Sequence, residues 1–378
     1  MSGQPKNKGF QPNDGSPAPG YSYWETKGWL SDLDAVVIGA GIVGMNAGLR
    51  LKALHPQWNV LIIDRASMGG ATTRNAGFAC FGSPSELLED WRTLGPEGTV
   101  ALVQQRWEGL KLLRRTCGDE ALRYRSCGAT EAFTDRDQFH RAATALTTLN
   151  EALAPVLGVA PFSVTEHPET WGLCDLAGAI SSPLEGALDT ASLAQTLRSN
   201  LHRSGVRVLV GVPVADLTPG DKGWALHTSQ GSIEARHVFV ANNGWAADLL
   251  NLDVQPAPNT VLVSQPLPDM TLSTTVHHDR GFVYAREVDG RLLIGGGRHW
   301  ECASEGERAE RLISWAQAHI QGASNLQVQH RWVGQLGVGA QRTPIVKTVK
   351  PGLHVGVRLG GMGVAIGTAI GQKLAELV

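Results

Sequence analysis

No two cysteines of this 378-residue chain are spaced C-x-x-C. Cys80, Cys117, Cys127, Cys174 and Cys302 stand singly and form no Cys/His set of zinc spacing, which argues against a structural zinc or a disulfide framework. A reducing cytoplasm is the expected compartment. Long apolar runs are also missing. The longest, residues 35–45 and 361–371, are broken by glycine and fall short of the ~18–20 residues a bilayer span needs, so no transmembrane segment is expected. Residues 1–30 are polar and rich in Gly, Pro and Asn, without the apolar core of a secretory signal or anchor, and read as a flexible arm. Charge of one sign is scarce as well. A formal net charge of −2 with 18% charged residues leaves no positive field to release counterions, so nucleic acid is not an expected partner.

What is present is glycine: 45 residues, about 12% of the chain, in no repeat or low-complexity tract. Such an excess marks places where backbone must approach something closely. With 42% apolar residues the chain has enough material for an ordinary globular core, and its length allows two or three domains.

Residues 33–38 (LDAVVI) read as a buried strand running into glycine, residues 42–54 as a helix ended by His55-Pro56, and residues 59–63 as a second strand. This is a βαβ unit with parallel strands. Between strand and helix lies Gly39-Ala40-Gly41-Ile42-Val43-Gly44, a G-x-G-x-x-G. Its first glycine permits the tight turn, the second lets backbone approach a pyrophosphate, and the third lets helix pack on strand. Asp64 closes the second strand, twenty-five residues after Gly39, where it can accept from ribose hydroxyls. The pattern predicts dinucleotide binding and leaves NAD and FAD open.

From 84 to about 155 the spacing is helical, with a distinct helix at 136–153, and the block reads as an inserted lobe. A helix at 190–203 leads back to short strands at 206–210, 212–217, 224–228 and 233–240. Strands at 260–264, 281–287 and 291–295 and a helix at 305–318 fit an antiparallel sheet with a ligand face. Strands at 344–348 and 353–357 precede a terminal helix, 363–377. At the start of that helix Gly361, Met362, Gly363 and Val364 offer backbone N–H groups and a positive dipole end to a partly negative atom.

Three stretches carry a resemblance: Thr72-Thr73-Arg74-Asn75-Ala76-Gly77-Phe78, Val206 to Trp245, and Gly360 to Gly367. Together they resemble the FAD-dependent D-amino-acid oxidase, glycine oxidase and sarcosine oxidase family, from about residue 32 to the end. The resemblance implies an α/β fold: a Rossmann-like FAD-binding domain with an inserted α+β substrate domain built on an antiparallel sheet. The divisions expected are an arm (1–30), an FAD-binding domain (31–83, 172–248 and 330–378) and a substrate domain (84–171 and 249–329).

The resemblance further implies noncovalent FAD held by Gly39, Gly41, Ile42, Val43, Gly44, Asp64 and Arg65, with Thr73, Arg74, Asn75, Ala76 and Gly77 running past the flavin ring. Val214 stands at the adenine side, Ala241 and Trp245 at the strand-end turn, and Gly361 to Val364 at the pyrimidine side of the ring. The implied reaction is oxidation of the C–N bond of a small amine or amino acid by hydride transfer to flavin N5, with oxygen or a quinone-linked chain as acceptor. A same-fold dehydrogenase of a hydroxy acid or polyol, and a flavin-bound redox sensor without turnover, are the alternatives.

An amino acid requires a cation for its carboxylate. Arg286 and Arg298 are the candidates on the predicted sheet, with Arg298 favoured, and Arg342 and Arg358 lie nearer the flavin segments. His277 and His278, read as a loop pair, are candidates for accepting the amine proton, His278 being taken forward as the catalytic one. Trp245 and Trp300 are candidates for shaping the pocket, and Trp332 is assigned to the core. Three departures separate the chain from its relatives. Residues 332–344 hold no cysteine for a covalent flavin link, Ala365 stands near a family lysine, and Leu336 near a family arginine.

Overall fold

The computed structural model describes residues 20–67 and 70–378. Of the expected arm, residues 1–19 lie outside that range. Residues 20–30 do not run as an irregular arm: Ser22 and Glu25 form a capping box on a short helix, Tyr23–Gly28, and the Tyr21 hydroxyl meets Thr228 Oγ1 at 3.0 Å.

Two large sheets organise the chain. The first has the order Ile345–Lys350, Leu353–Val357, Gly231–Val240, Leu33–Ile38, Val60–Asp64, Arg207–Val210, with Val214–Gly220 and Gly223–Thr228 added as a meander on Gly231–Val240. The five strands from Leu353–Val357 to Arg207–Val210 are parallel, while the edge strand Ile345–Lys350 and the meander pair antiparallel. The period-2 alternation of a strand explains why LDAVVI is apolar throughout. Ala35 and Val37 face a core with the helices Ile42–Leu54, Thr190–Arg203 and Gly363–Ala375, whereas Val36 and Ile38 face a second core with Trp224, Leu226 and Val254.

The second sheet has the order Val328–Val338, Gln255–Pro266, Arg291–Gly296, Val283–Val288, Thr275–His278, Ala129–Phe133, Gly178–Ser182, Ser163–Val164. It is antiparallel except where Thr275–His278 pairs parallel with Ala129–Phe133. Gly178–Ser182 and Val328–Val338, on the nucleotide side of the expected divisions, hydrogen-bond into this sheet. Ala129–Phe133, within the block read as helical, is a fully buried strand with poor β formers, Ala and Glu. The helical spacing at 84–117 is real but broken. Gly95 takes φ 73° ahead of Pro96, so two helices meet at a kink.

An imidazole and aromatic stack crosses the first sheet. His354 lies 4.8 Å from Phe239 and 5.8 Å from His237, which stacks on Trp58, itself 3.9 Å from His55. Burial, then His237, holds the His354 pKa at about 4, and burial, then Arg236 and His55, lowers that of His237, against Asp34. Since the unfolded chain binds protons here first, stability falls as pH drops from about 6.5 to 4. The expected loss is on the order of 1–2 kcal/mol after solvent screening. Urea midpoints at pH 7 and 4.5 read it; His354→Gln flattens the difference, and an unchanged difference refutes the assignment.

Candidate active site

Both sheets contribute to one cavity of about 790 Å³, within the range of roughly 300–1,000 Å³ usual for cofactor and ligand sites. On one side it meets the carboxyl ends of Leu33–Ile38 and Val60–Asp64, where an open parallel sheet binds ligands. On the other it meets the second sheet, through Asn259, His277, Tyr284, Arg298 and Val333 to Leu336.

The glycine turn is fixed by close contacts. Gly39 has φ 115°, and a Cβ there would lie 2.6 Å from the Ala241 carbonyl oxygen. A Cβ on Gly44 would lie 1.8 Å from the Gly39 carbonyl oxygen, so helix and strand meet backbone to backbone. Asp64 Oδ2 accepts from Ala40 N at 2.6 Å and Oδ1 from Ala66 N at 2.8 Å, which holds the turn as well as placing a carboxylate on the cavity wall. Thr72, which the sequence reading passed over in favour of Thr73, lines the cavity and accepts from Ile42 N through Oγ1 at 2.8 Å. Its signal was available: an exposed helix start needs a side-chain acceptor.

Gly39, Gly41, Ile42, Val43, Asp64 and Arg65 line the cavity together with Arg74, Asn75 and Ala76. Val214, Ala241, Trp245, Gly361, Met362, Gly363 and Val364 do so too. Arg65 lies over the Trp245 ring at 4.0 Å. Three predicted residues lie behind the wall. Gly44 packs the helix, Thr73 hydrogen-bonds toward Gly70 O, and Gly77, at φ 72°, would place a Cβ 2.3 Å from Leu188 O. Asn75 holds its turn by accepting from Gly77 N and donating to Ala71 O and Thr72 O.

Asn243 was not anticipated. At φ 52° it accepts from the Arg358 and Leu359 N–H groups through Oδ1, joining the strand-end turn to the terminal segment.

Among the substrate candidates, Arg298 lines the cavity and stacks on Phe282 at 4.5 Å. No carboxylate among the described residues pairs with it. Burial, then the Arg342 cation, lowers its pKa. Arg342 also lines the cavity but bonds Asp90 at 3.0 Å and sits 3.5 Å from Glu86. Arg358 is committed to Asp253.

Arg286 stands apart from these. It is buried outside the cavity and donates to Ala76 O at 2.6 Å and Leu188 O at 3.1 Å, supporting the turn that faces the cavity. Its guanidinium is therefore spent on backbone. Arg286→Leu is expected to cost about 2–4 kcal/mol of stability, seen in urea melts. A raised KM with an unchanged melt would restore Arg286 to the substrate.

His278 stands apart as well. The histidine pair belongs to strand Thr275–His278, so the two rings face opposite sides. His278 bonds Ala132 O at 2.8 Å, stacks on Trp315 at 5.0 Å, and is turned away from the cavity. His277 lines the cavity and faces Glu185 Oε2 at 3.2 Å. Burial opposes its charge, but Glu185, aided by Glu131 and Glu86, raises its pKa. Trp300 stays off the cavity, and Trp332 is half-buried with Nε1 on Arg74 O rather than deep in the core. Leu336 and Ala365 line the cavity.

Asn242 Oδ1 and Asn259 Oδ1 are buried without a hydrogen-bond partner, and both residues line this cavity. They require donors from what fills it, as a flavin dinucleotide with its amino, imide and hydroxyl groups provides. Fold and cavity thus define a dinucleotide-dependent oxidoreductase with a substrate sheet facing its cofactor domain. The model of the family described as FAD dependent oxidoreductase matches residues 34–377, and the chain belongs to that family.

It is 28% identical over 276 residues to a glycine oxidase of Geobacillus kaustophilus, covering 69% of each chain. It is 22% identical to the "Probable oxidoreductase OrdL" of Rhizobium meliloti, over 95% of this chain and 88% of that one. The crystal structure of the Geobacillus kaustophilus glycine oxidase superposes with TM-score 0.71 at 23% identity, over 91% of this chain and 94% of the other. The protein is an FAD-dependent oxidoreductase. No helix among the described residues is long and apolar enough to cross a membrane.

Proposed function

We propose that the protein oxidises the carbon–nitrogen bond of a small amino acid, bound by its carboxylate on Arg298. The supporting observation is that Arg298 is a cavity-lining guanidinium, shielded by Phe282, with no carboxylate partner among the described residues. Such a group invites a bidentate anion.

Noncovalent FAD would be held by the glycine turn 39–44, Asp64 and Thr72, with Arg74 to Ala76 and Gly361 to Val364 beside its ring. FAD held there would supply a hydride acceptor, N5, for the hydrogen on the amine-bearing carbon and a route for the electrons to oxygen or a quinone-linked chain.

The chain's own part is positioning. Arg298 fixes the carboxylate end, and Tyr284, whose hydroxyl accepts from Asn259 Nδ2 at 2.9 Å, presents a phenol that burial keeps protonated. Alcohol oxidation would need a protein base for the O–H proton. Glu86 is tied to Arg106 and Arg342, and His277 to Glu185, so neither stands ready as that base. A neutral amine needs none, which favours amine oxidation over the hydroxy-acid and polyol reading.

The deciding experiment is anaerobic bleaching of the yellow protein across amino acids of both hands, N-methyl amino acids, polyamines and hydroxy acids. Bleaching by an amino acid with stoichiometric release of ammonia or amine is expected. Bleaching by hydroxy acids alone refutes the reading, and a flavin indifferent to every compound returns the redox-sensor alternative.

A further inference from the structure

Cys80, Glu185 and His277 come from separate segments, yet one ligating atom from each lies within 4.8 Å of the others. All are buried, at 8%, 1% and 6% exposure, while Cys80 and His277 line the cavity. Glu185 is held rigidly. Its Oε1 accepts from Phe81 N at 2.8 Å and Gly82 N at 3.1 Å, which leaves Oε2 aimed at His277 Nε2, 3.2 Å away. Two ligand atoms on one tetrahedral zinc, with bonds of ~2.0–2.2 Å, stand about 3.4 Å apart. The carboxylate and imidazole are already near that separation.

The geometry points to a binding site for a single divalent cation of the zinc class, held by Cys80 Sγ, Glu185 Oε2 and His277 Nε2 with its fourth position toward the cavity. A thiolate, an imidazole and a carboxylate suit zinc, cobalt or nickel and not magnesium or calcium, which require oxygen alone. Three protein ligands with an open fourth position is the arrangement of zinc sites that remain accessible to small molecules.

Binding displaces protons: the Cys80 thiol proton and any proton on His277 Nε2 pass to solvent, and no oxidation state changes. Once bound, the dication would face one thiolate and one carboxylate, so the trio itself would carry no uncompensated charge. The other charged groups facing the trio are Glu86 and Arg106 on the kinked helix and Glu131 on Ala129–Phe133.

The site stands independently of the carbon–nitrogen reading, because metal binding is read directly. Co2+ is titrated into the FAD-loaded protein in thiol-free buffer and followed by difference absorbance. One equivalent is expected, with a cobalt–thiolate charge-transfer band that Zn2+ displaces. Cys80→Ser, or Cys80→Ala should serine fail to fold, is expected to abolish the band and weaken binding at least about 100-fold, the upper range for loss of an outer-shell partner being the floor for a direct ligand. Glu185→Gln keeps an oxygen for the Phe81 and Gly82 N–H groups and is expected to weaken binding comparably. Co2+ binding without a thiolate band, a band that survives loss of Cys80, or unchanged affinity in Glu185→Gln overturns the proposal.

Discussion

Arg298→Ala is expected to lower kcat/KM for an amino-acid substrate by about 30- to several-thousand-fold, corresponding to about 2–5 kcal/mol for one partner of a desolvated, hydrogen-bonded charge pair. The size follows from the environment. The guanidinium lines the cavity over the Phe282 ring, and no carboxylate among the described residues forms an ion pair with it. A substrate carboxylate would there replace water with two parallel N–H donors. Arg298→Lys restores charge without the planar fork and is expected to recover only part of the loss. The comparison that isolates the role is an amino acid against the amine lacking its carboxylate. Wild type is expected to discriminate and Arg298→Ala to treat the two alike. An equal fall for both compounds would remove Arg298 from carboxylate binding and leave it a shaping residue.

Gly44→Ala is expected to yield protein that is colourless or does not accumulate. The added methyl would sit 1.8 Å from the Gly39 carbonyl oxygen, which belongs to a rigid turn and is not the end of a flexible side chain. The turn cannot recede. Gly39 N donates to Ile63 O at 2.8 Å, and Ala40 N donates to Asp64. Helix Ile42–Leu54 must therefore lift from the strand, separating apolar groups of the core that also buries the terminal helix. Overpacking costs of about 1–3 kcal/mol are usual where neighbours yield, and here they are backbone on both sides. The ratio of flavin to protein absorbance and the thermal midpoint read the effect. Gly28→Ala tests the method, since a Cβ there would meet nothing within 4 Å at an exposed helix end. A yellow, wild-type-stable Gly44→Ala would show that the third glycine is not a packing requirement.

Much of the cofactor side was legible because local patterns wrote it. Strand, glycine turn, helix and Asp64 follow one another within about thirty residues, and the physics of a βα turn fixes what each residue does. The substrate side was read less well. Arg286 and Tyr284 share one face of strand Val283–Val288, and nothing local distinguishes the residue covered by the turn at Ala76 from the one open to the cavity. From sequence His277 and His278 fall in a loop just before the strand expected at 281–287, whereas strand pairing extends through both histidines and sends their rings to opposite sides. Ala129–Phe133 was hidden for a related reason. Its Ala and Glu residues favour helix, and burial between neighbouring strands overrides that preference.

By itself, the sequence determined the parallel βαβ unit, the glycine turn against its acidic partner, the glycine-rich opening of the terminal helix and the alternation of helices and strands, since these rest on contacts between residues near in the chain. Tertiary structure alone decided which arginine faces the cavity, which histidine does, and that Cys80, Glu185 and His277 converge. Those outcomes depend on segments tens to hundreds of residues apart closing on the same few ångströms, a property of sheet order and register that no local spacing encodes.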